Sequence, residues 1–339
     1  MTRSLMVLPE DSAETLLSAI GQAGRLLRIK MFVFSDPRLL HAVIAARKRG
    51  VDVRVILNPA RRSGESENDE SGTLLRKGGV EVMDGNPAFD LTHEKSMVVD
   101  DRLAYVMSLN WQSKNLTETR DYAVSTSHQH EVSEIIECFD ADWARTAFTP
   151  GDHSHLIWCV GNGRQRLGKM IDGAKHSIWL QNERYQDQTM IEHLVRAARR
   201  GVRLHIMAPP PHKLKKDKLI EGVSGLRILE DVGAKVHRLT HLKLHAKMLL
   251  ADGARAVIGS INLAPGSFDS RRELAIEVDD PHVVDRLDHV VQTDWEKSRR
   301  IDLSDKALLS ELSQYDEDVA EDLALRDSSS GEKKKTSNG

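Results

Sequence analysis

The chain repeats itself, and this limits what it can fold into more than any other feature. In a sequence of 339 residues, Lys48-Arg49-Gly50-Val51 opens an apolar run that recurs 151 positions later at Arg199-Arg200-Gly201-Val202. His93-Glu94-Lys95 returns as His245-Ala246-Lys247, and Ser108-Leu109-Asn110 as Ser260-Ile261-Asn262. Arg120-Asp121 returns as Arg272-Glu273 and Asp142-Trp143 as Asp294-Trp295, all four at an offset of 152. A near-constant offset held this long implies two copies of one domain. The copies are read as 1–149 and 150–300, joined at Thr149-Pro150-Gly151-Asp152. An acidic segment and tail follow over 301–339; from Ser328 the composition is too polar to order itself.

Each copy reads as α/β. In the first, Asp11 to Glu14 looks like a capping box opening a helix with Leu16, Leu17 and Ile20 inward. Leu27–Phe34 is a strand, and Leu39–Arg49 a helix ended by Gly50. Val51–Leu57, Val80–Met83, Lys95–Val99, Leu103–Met107 and Tyr122–Thr126 are further strands, and 61–72 is a polar loop. Glu131–Arg145 closes the copy as a helix, as Val283–Lys297 closes the second. Alternating strands and helices predict two tandem lobes related by a pseudo-twofold axis. Each would be a mixed, mainly parallel sheet flanked by helices.

Composition excludes several classes. With 40% apolar and 29% charged residues the chain can build real cores. A net charge of -3 gives no global pull toward nucleic acid or anionic lipid. Two cysteines, Cys138 and Cys159, make neither a disulfide framework nor a metal spacing. The first ten residues are no signal peptide, and no apolar stretch is long enough to span a bilayer. The expectation is a cytoplasmic protein that meets any lipid substrate peripherally, at the membrane surface.

The chemistry lies in a doubled pattern: His-x-Lys, four residues, then Asp. It occurs as His93, Lys95, Asp100 and as His245, Lys247, Asp252. Chance gives on the order of 0.1 such match in a chain this size, so the second copy at the repeat offset carries the weight. Residues two apart on a strand share a face, so His and Lys point the same way. Ser108 and Asn110, like Ser260 and Asn262, lie two apart on the next strand and are expected to join that face. Together the copies offer a kit for a phosphodiester. One imidazole attacks phosphorus and the other serves as acid and then base. The lysines, serines and asparagines bind the phosphate oxygens. Asp121 and Glu273 are suited to orient the imidazoles through their second nitrogens. Asp100 and Asp252 are placed with the catalytic set, although a strand-end Asp also suits bracing a turn. No residue cluster calls for a metal, and no cofactor is expected.

With these residues in view, the chain resembles the phospholipase D superfamily over about residues 10–300. The resemblance implies a two-lobed α/β sandwich with the site between lobes and a phosphohistidine mechanism. It implies His93 as nucleophile and His245 as acid and base. Met107 departs from the family's usual Gly before the Ser, and a side chain there is expected to crowd the first half-site or shift Ser108. The substrate expected is a phospholipid headgroup, hydrolysed or transferred. The basic run 209–218, after a strand end, suits anionic lipid headgroups; a metal-independent endonuclease is the alternative, suggested by Asn110-Trp111 and by the same run as a track for a DNA backbone, and opposed by 4% aromatics and the acidic net charge. A non-catalytic scaffold is the remaining reading. Oligomeric state is not legible.

Overall fold

The computed structural model describes residues 2–59, 67–151, 155–210 and 216–310. The tail from Ser328, including Lys333-Lys334-Lys335, and residues 211–215 of the basic run lie outside the described residues. The first half runs β1 (Arg3–Leu8), α1 (Glu14–Gln22), β2 (Leu26–Met31), α2 (Pro37–Lys48), β3 (Asp52–Leu57), α3 (Glu67–Lys77), β4 (Glu81–Asp84), β5 (Leu91–Thr92), β6 (Ser96–Val99), β7 (Leu103–Met107), α4 (Ser113–Thr117), β8 (Thr119–Thr126) and α5 (Gln129–Ala144). The second half repeats it: β9 (Leu156–Cys159), α6 (Gly163–Gly173), β10 (Ser177–Gln181), α7 (Gln188–Arg199), β11 (Arg203–Met207), α8 (Lys216–Asp231), β12 (Lys235–Leu239), β13 (Lys243–Leu244), β14 (Met248–Ala251), β15 (Arg255–Gly259), α9 (Pro265–Asp269), β16 (Arg271–Val278), α10 (Pro281–Glu296) and β17 (Ser298–Arg300).

Two sheets result. The first has the order β1-β8-β7-β6-β2-β3-β4 and the second β17-β12-β11-β10-β14-β15-β16-β5. The α/β, two-lobed reading is correct, but the strand balance differs from "mainly parallel". Among the described residues, only β2-β3-β4 and β10-β11-β12 run parallel within their own lobes. The strands after them fold back as antiparallel meanders. The cause is local. Asp100 and Asp101 (φ 52° and 51°), and Asp252 and Gly253 (φ 55° and 61°), make tight left-handed turns. A turn that short joins only antiparallel neighbours.

Period-two patterning sorts the side chains into layers. On β14, Leu249 and Ala251 enter a core under the second lobe's helices. Met248 and Leu250 enter a central core shared by both sheets, α5 and α10. On β1, Met6 and Leu8 face the first lobe's helices, and Leu5 and Val7 face the centre. The inner face of each sheet is therefore covered largely by the other lobe.

Buried ion pairs lock this interface. Arg120 of the first lobe forks onto Asp294 on α10 (both bonds 2.8 Å). Arg272 of the second forks onto Asp142 on α5 (3.0 and 2.9 Å). These are repeat positions, and each pair crosses between lobes. Asp142 also accepts from the fully buried Lys30 (2.7 Å), whose ammonium bonds Glu94 (2.9 Å) as well. Glu94, Cys138 and Asp142 lie close enough to hold a metal, but Lys30 fills that place with a charge of its own.

Three local expectations change. Helix α1 starts at Glu14 with no side-chain cap, because the Asp11 carboxylate instead accepts from Val7 N and pairs with Arg286. Residues 67–72 of the expected loop are helical, and Asn68 binds the backbone of Phe32, Phe34 and Asn58. Past residue 300, Ile301 and Leu303 are buried in the second lobe's outer core.

Candidate active site

The site is assembled by an exchange of strands. Just before its histidine, each lobe lends a two-residue strand to the other lobe's sheet. β5 runs parallel to β16, with Leu91 opposite Arg271 and Thr92 opposite Arg272. β13 runs parallel to β8, with Lys243 opposite Thr119 and Leu244 opposite Arg120. His93 N and Glu94 N then donate to Arg272 O (both 2.9 Å), and His245 N donates to Arg120 O (3.3 Å). Each histidine is thus fixed by backbone bonds beside the other lobe's carboxylate.

The side chains complete the crossing. His93 Nδ1 lies 2.8 Å from Glu273 Oε2. His245 Nδ1 lies 2.9 and 3.1 Å from the two oxygens of Asp121. Both carboxylates are fully buried. With Nδ1 engaged, Nε2 of each ring is the nitrogen left for a substrate. The Glu183 carboxylate feels the charge of Lys247, His245 and His93 together, so both half-sites converge on one region.

The remaining residues named from sequence divide into three groups. Ser108 and Ser260 are fully buried and do not line a phosphate site. Ser108 Oγ donates to Asp121 (2.6 Å) and accepts from Tyr122 N (2.9 Å); Ser260 Oγ accepts from Leu274 N (3.0 Å). Both therefore brace the strands that carry the orienting carboxylates. Thr119 and Asn115 support Asp121 as well, and Ser267 supports Glu273 (2.8 Å). Asn110 and Asn262 are buried, and each keeps a side-chain oxygen without a partner. The unpaired oxygen can accept only from a donor such as a water or a ligand hydroxyl, and Nδ2 is the amide atom that can donate to a phosphate oxygen.

Asp100 and Asp252 fall outside the catalytic cluster, a correction to their placement in it. Asp100 accepts backbone N–H bonds from Gly24, Arg25 and Leu26, and Asp252 from Lys175, His176 and Ser177. Strand alternation explains this: the Asp lies five residues beyond the Lys, past the end of the strand and at its far turn. Met107 neither crowds the half-site nor shifts Ser108, since its side chain lies in the first lobe's outer core. Ser108 N and Ser260 N keep equivalent bonds to Tyr122 O and Leu274 O (both 2.9 Å). The second lobe does need its glycine, because a Cβ on Gly259 would stand 2.3 Å from Leu274 O. Trp111, offered as a nuclease-like feature, is fully buried edge-on against Phe34 and presents no stacking face.

The two half-sites are not equivalent. Lys95 donates to His93 O (2.6 Å) and sits 5.0 Å from the centre of the Phe32 ring, which also packs edge-on against His93. Lys247 donates to His245 O and to Glu183 Oε2, both at 2.5 Å. Glu183 also comes within 4.0 Å of His245 Nε2. Sequence reading missed Glu183 because the repeat hides it: the offset of 151 that relates Phe34 to Tyr185 sets Glu183 opposite Phe32.

Electrostatics follow from burial. Desolvation pushes His93 down to about 4 against the pull of Glu273, so its ring is neutral at ordinary pH. Desolvation, then the Lys247 charge, push Lys95 down to about 7. Burial works to raise Asp121 and Glu273, but the facing histidines hold both below the usual carboxylate range. Burial likewise opposes ionisation of Glu183, yet Lys247 and His245 hold it down to about 2.

A family model described as "Cardiolipin synthase, PLD-like domain" matches residues 16–143 and again 167–295. The polyphosphate kinase of Vibrio parahaemolyticus is 25% identical over 326 residues, covering 88% of this chain and 45% of that protein. The chain thus spans about half the length of that relative. Cardiolipin synthase B of Escherichia coli is 26% identical over 338 residues, covering 85% of this chain and 80% of that protein. Phosphatidylserine synthase of Haemophilus influenzae superposes with a TM-score of 0.67 at 12% identity, over 88% of this chain and 87% of that one, a likeness of fold.

Proposed function

The chain belongs to the phospholipase D-like family, with two PLD-like domains in tandem, and on that footing we propose that it is a phosphodiesterase that hydrolyses or transfers phospholipid headgroups through a phosphohistidine. One observation carries the reading: two histidines, each held at Nδ1 by a buried carboxylate of the opposite lobe. Held so, one ring is ready to attack and the other to handle a proton.

His93 is the nucleophile. It is neutral at working pH and its Nε2 carries the lone pair that attacks phosphorus. The ring gains positive charge as the bond forms, and Glu273 offsets that charge at 2.8 Å. His245 protonates the departing oxygen, then removes a proton from the water or alcohol that releases the intermediate. Its protonated form is matched by Asp121. Lys95 and Lys247, with Asn110 and Asn262, stabilise the oxygens of the five-coordinate phosphorus. The lipid assignment is supported by relatives named cardiolipin synthase and mitochondrial cardiolipin hydrolase, the latter 31% identical over 152 residues. No described helix is long and apolar enough to cross a membrane, so the lipid is met at the surface of a bilayer or micelle.

The test presents phosphatidylglycerol in mixed micelles, plasmid DNA and bis(4-nitrophenyl) phosphate in parallel, each with and without excess EDTA. Headgroup release and nitrophenol release that survive EDTA, without DNA nicking, are expected. DNA nicking alone would replace the lipid reading with a nuclease, and loss of all activity in EDTA would overturn the metal-independent chemistry.

A further inference from the structure

Glu183 breaks the repeat beside the reacting histidines. The position that holds Glu183 in the second lobe holds Phe32 in the first. Phe32 packs edge-on against His93, at 4.7 Å between ring centres, and gives that ring an apolar wall. Glu183 gives the other ring an anion. Its Oε2 lies 2.5 Å from Lys247 Nζ and 4.0 Å from His245 Nε2. Burial opposes its charge, but Lys247 and His245 hold the carboxyl ionised.

A gap of 4.0 Å between a carboxylate oxygen and Nε2 is too long for a direct hydrogen bond and suits one oxygen atom bonded to both. An oxygen about 2.8 Å from each would meet them at an angle of roughly 90°, close to the angle between the two O–H bonds of water. The same carboxylate lines a cavity of about 400 Å³ that opens beside the second half-site, with room for several waters. An acceptor arriving from the cavity therefore meets Glu183 and His245 together.

We infer that Glu183 selects the acceptor: it holds the second hydrogen of an attacking water while His245 takes the first, and so steers the phosphohistidine toward hydrolysis rather than transfer to a simple alcohol. The inference rests on the diesterase reading, which supplies the phosphohistidine. In this step a lone pair of the water oxygen forms the new bond to phosphorus. The bond from phosphorus to His93 Nε2 breaks, and its electron pair returns to the ring. One water proton passes to His245 Nε2; the other stays on the oxygen, hydrogen-bonded to Glu183. A monohydric alcohol has only the proton that His245 takes. Its carbon stands where water directs the second hydrogen, so that side of a partly buried anion faces an alkyl group instead of a donor. A carboxylate that served only as counter-ion to Lys247 would act on water and alcohol alike.

The test follows turnover of bis(4-nitrophenyl) phosphate by the full chain at a fixed ethanol concentration, and measures the ratio of ethyl 4-nitrophenyl phosphate to 4-nitrophenyl phosphate. Both products come from one intermediate, so changes in how fast it forms cancel from the ratio. Wild type is expected to give mainly 4-nitrophenyl phosphate. Glu183→Gln keeps the shape but, with its carbonyl on Lys247, presents an amide N–H₂ that cannot accept the second hydrogen. It should raise the ratio about tenfold, the worth of one hydrogen bond to a charged acceptor. Glu183→Ala should raise it as much. Arg184→Gln, at a neighbouring position that lines the same cavity, should leave it at the wild-type value. A ratio within about twofold of wild type in both Glu183 variants would overturn the inference, as would an equal rise in the Arg184 variant or an ethyl product that dominates in wild type. The nitrophenol released as the intermediate forms, before any acceptor is chosen, reports the diesterase reading by itself. No release from wild type would overturn that reading and this one with it, whereas release with an unmoved ratio overturns the acceptor role alone.

Discussion

Replacing Glu273 by Gln removes one charge and little else. Glu273 is fully buried, accepts from Ser267 and faces His93 Nδ1 at 2.8 Å. In the resting site its partner is a neutral imidazole, so ground-state binding should change little. As the nitrogen–phosphorus bond forms, the ring becomes cationic and the carboxylate acts on a full charge. With charge centres about 4 Å apart and an effective dielectric of about 20, that attraction is worth about 4 kcal/mol. Lost from the transition state alone, it lowers kcat by about a thousandfold and leaves KM nearly untouched. Stopped-flow release of 4-nitrophenol from bis(4-nitrophenyl) phosphate measures the burst and the steady state separately, and a thermal melt shows that the fold is intact. A folded Glu273→Gln variant with kcat within about tenfold of wild type would refute the argument, because His93 would then need no counter-charge.

Further outcomes follow from the same structure. The free-enzyme profile of kcat/KM should be bell-shaped. Its acid limb falls near pH 4, where His93 gains a proton and loses its nucleophilic lone pair. Its alkaline limb falls near pH 7, where Lys95 loses the charge that draws phosphate; a profile flat from pH 6 to roughly 9 would contradict the Lys95 role. Arg272→Met should lower the melting temperature by about 6 °C, since breaking a buried pair costs about 3 kcal/mol and each kcal/mol is worth about 2 °C in a chain of this size. Unchanged melting would mean that the lobes are not locked by that fork. Asp100→Asn should cost about 1–3 kcal/mol in urea unfolding by weakening its backbone bonds, yet keep kcat within about twofold. Abolished turnover in a stable Asp100 variant would return that residue to the active site.

How far the sequence could be read follows from what kind of signal each residue left. Wherever the same chemistry is needed twice, the repeat exposes it: His93 with His245, Lys95 with Lys247, and Asp121 with Glu273 all stand out by their offset. The crossing of these pairs is invisible, because β5 and β13 are two-residue strands whose partners belong to the other lobe. No period or propensity marks such an exchange. Arg120, Arg272, Asp142 and Asp294 were seen only as markers of duplication; that each pair spans the interface depends on three-dimensional placement. Glu183 escaped for the opposite reason, since its counterpart is Phe32 and asymmetry leaves no repeat to notice. Ser108 and Ser260 each lie one residue past the strand expected to carry them, β7 ending at Met107 and β15 at Gly259, and their hydroxyls are used by the backbone and carboxylates around them rather than by a ligand.

The central claim is that His93 becomes covalently phosphorylated within a site completed by the other lobe. The direct measurement uses His245→Ala and bis(4-nitrophenyl) phosphate, whose nitrophenolate leaves without needing a proton. Losing His245 should then block release more than attack. Alkaline quench and peptide mapping should find one acid-labile, base-stable 4-nitrophenyl phosphoryl group per chain, on His93. Label on another residue, or continued turnover with no trapped adduct, would contradict the account.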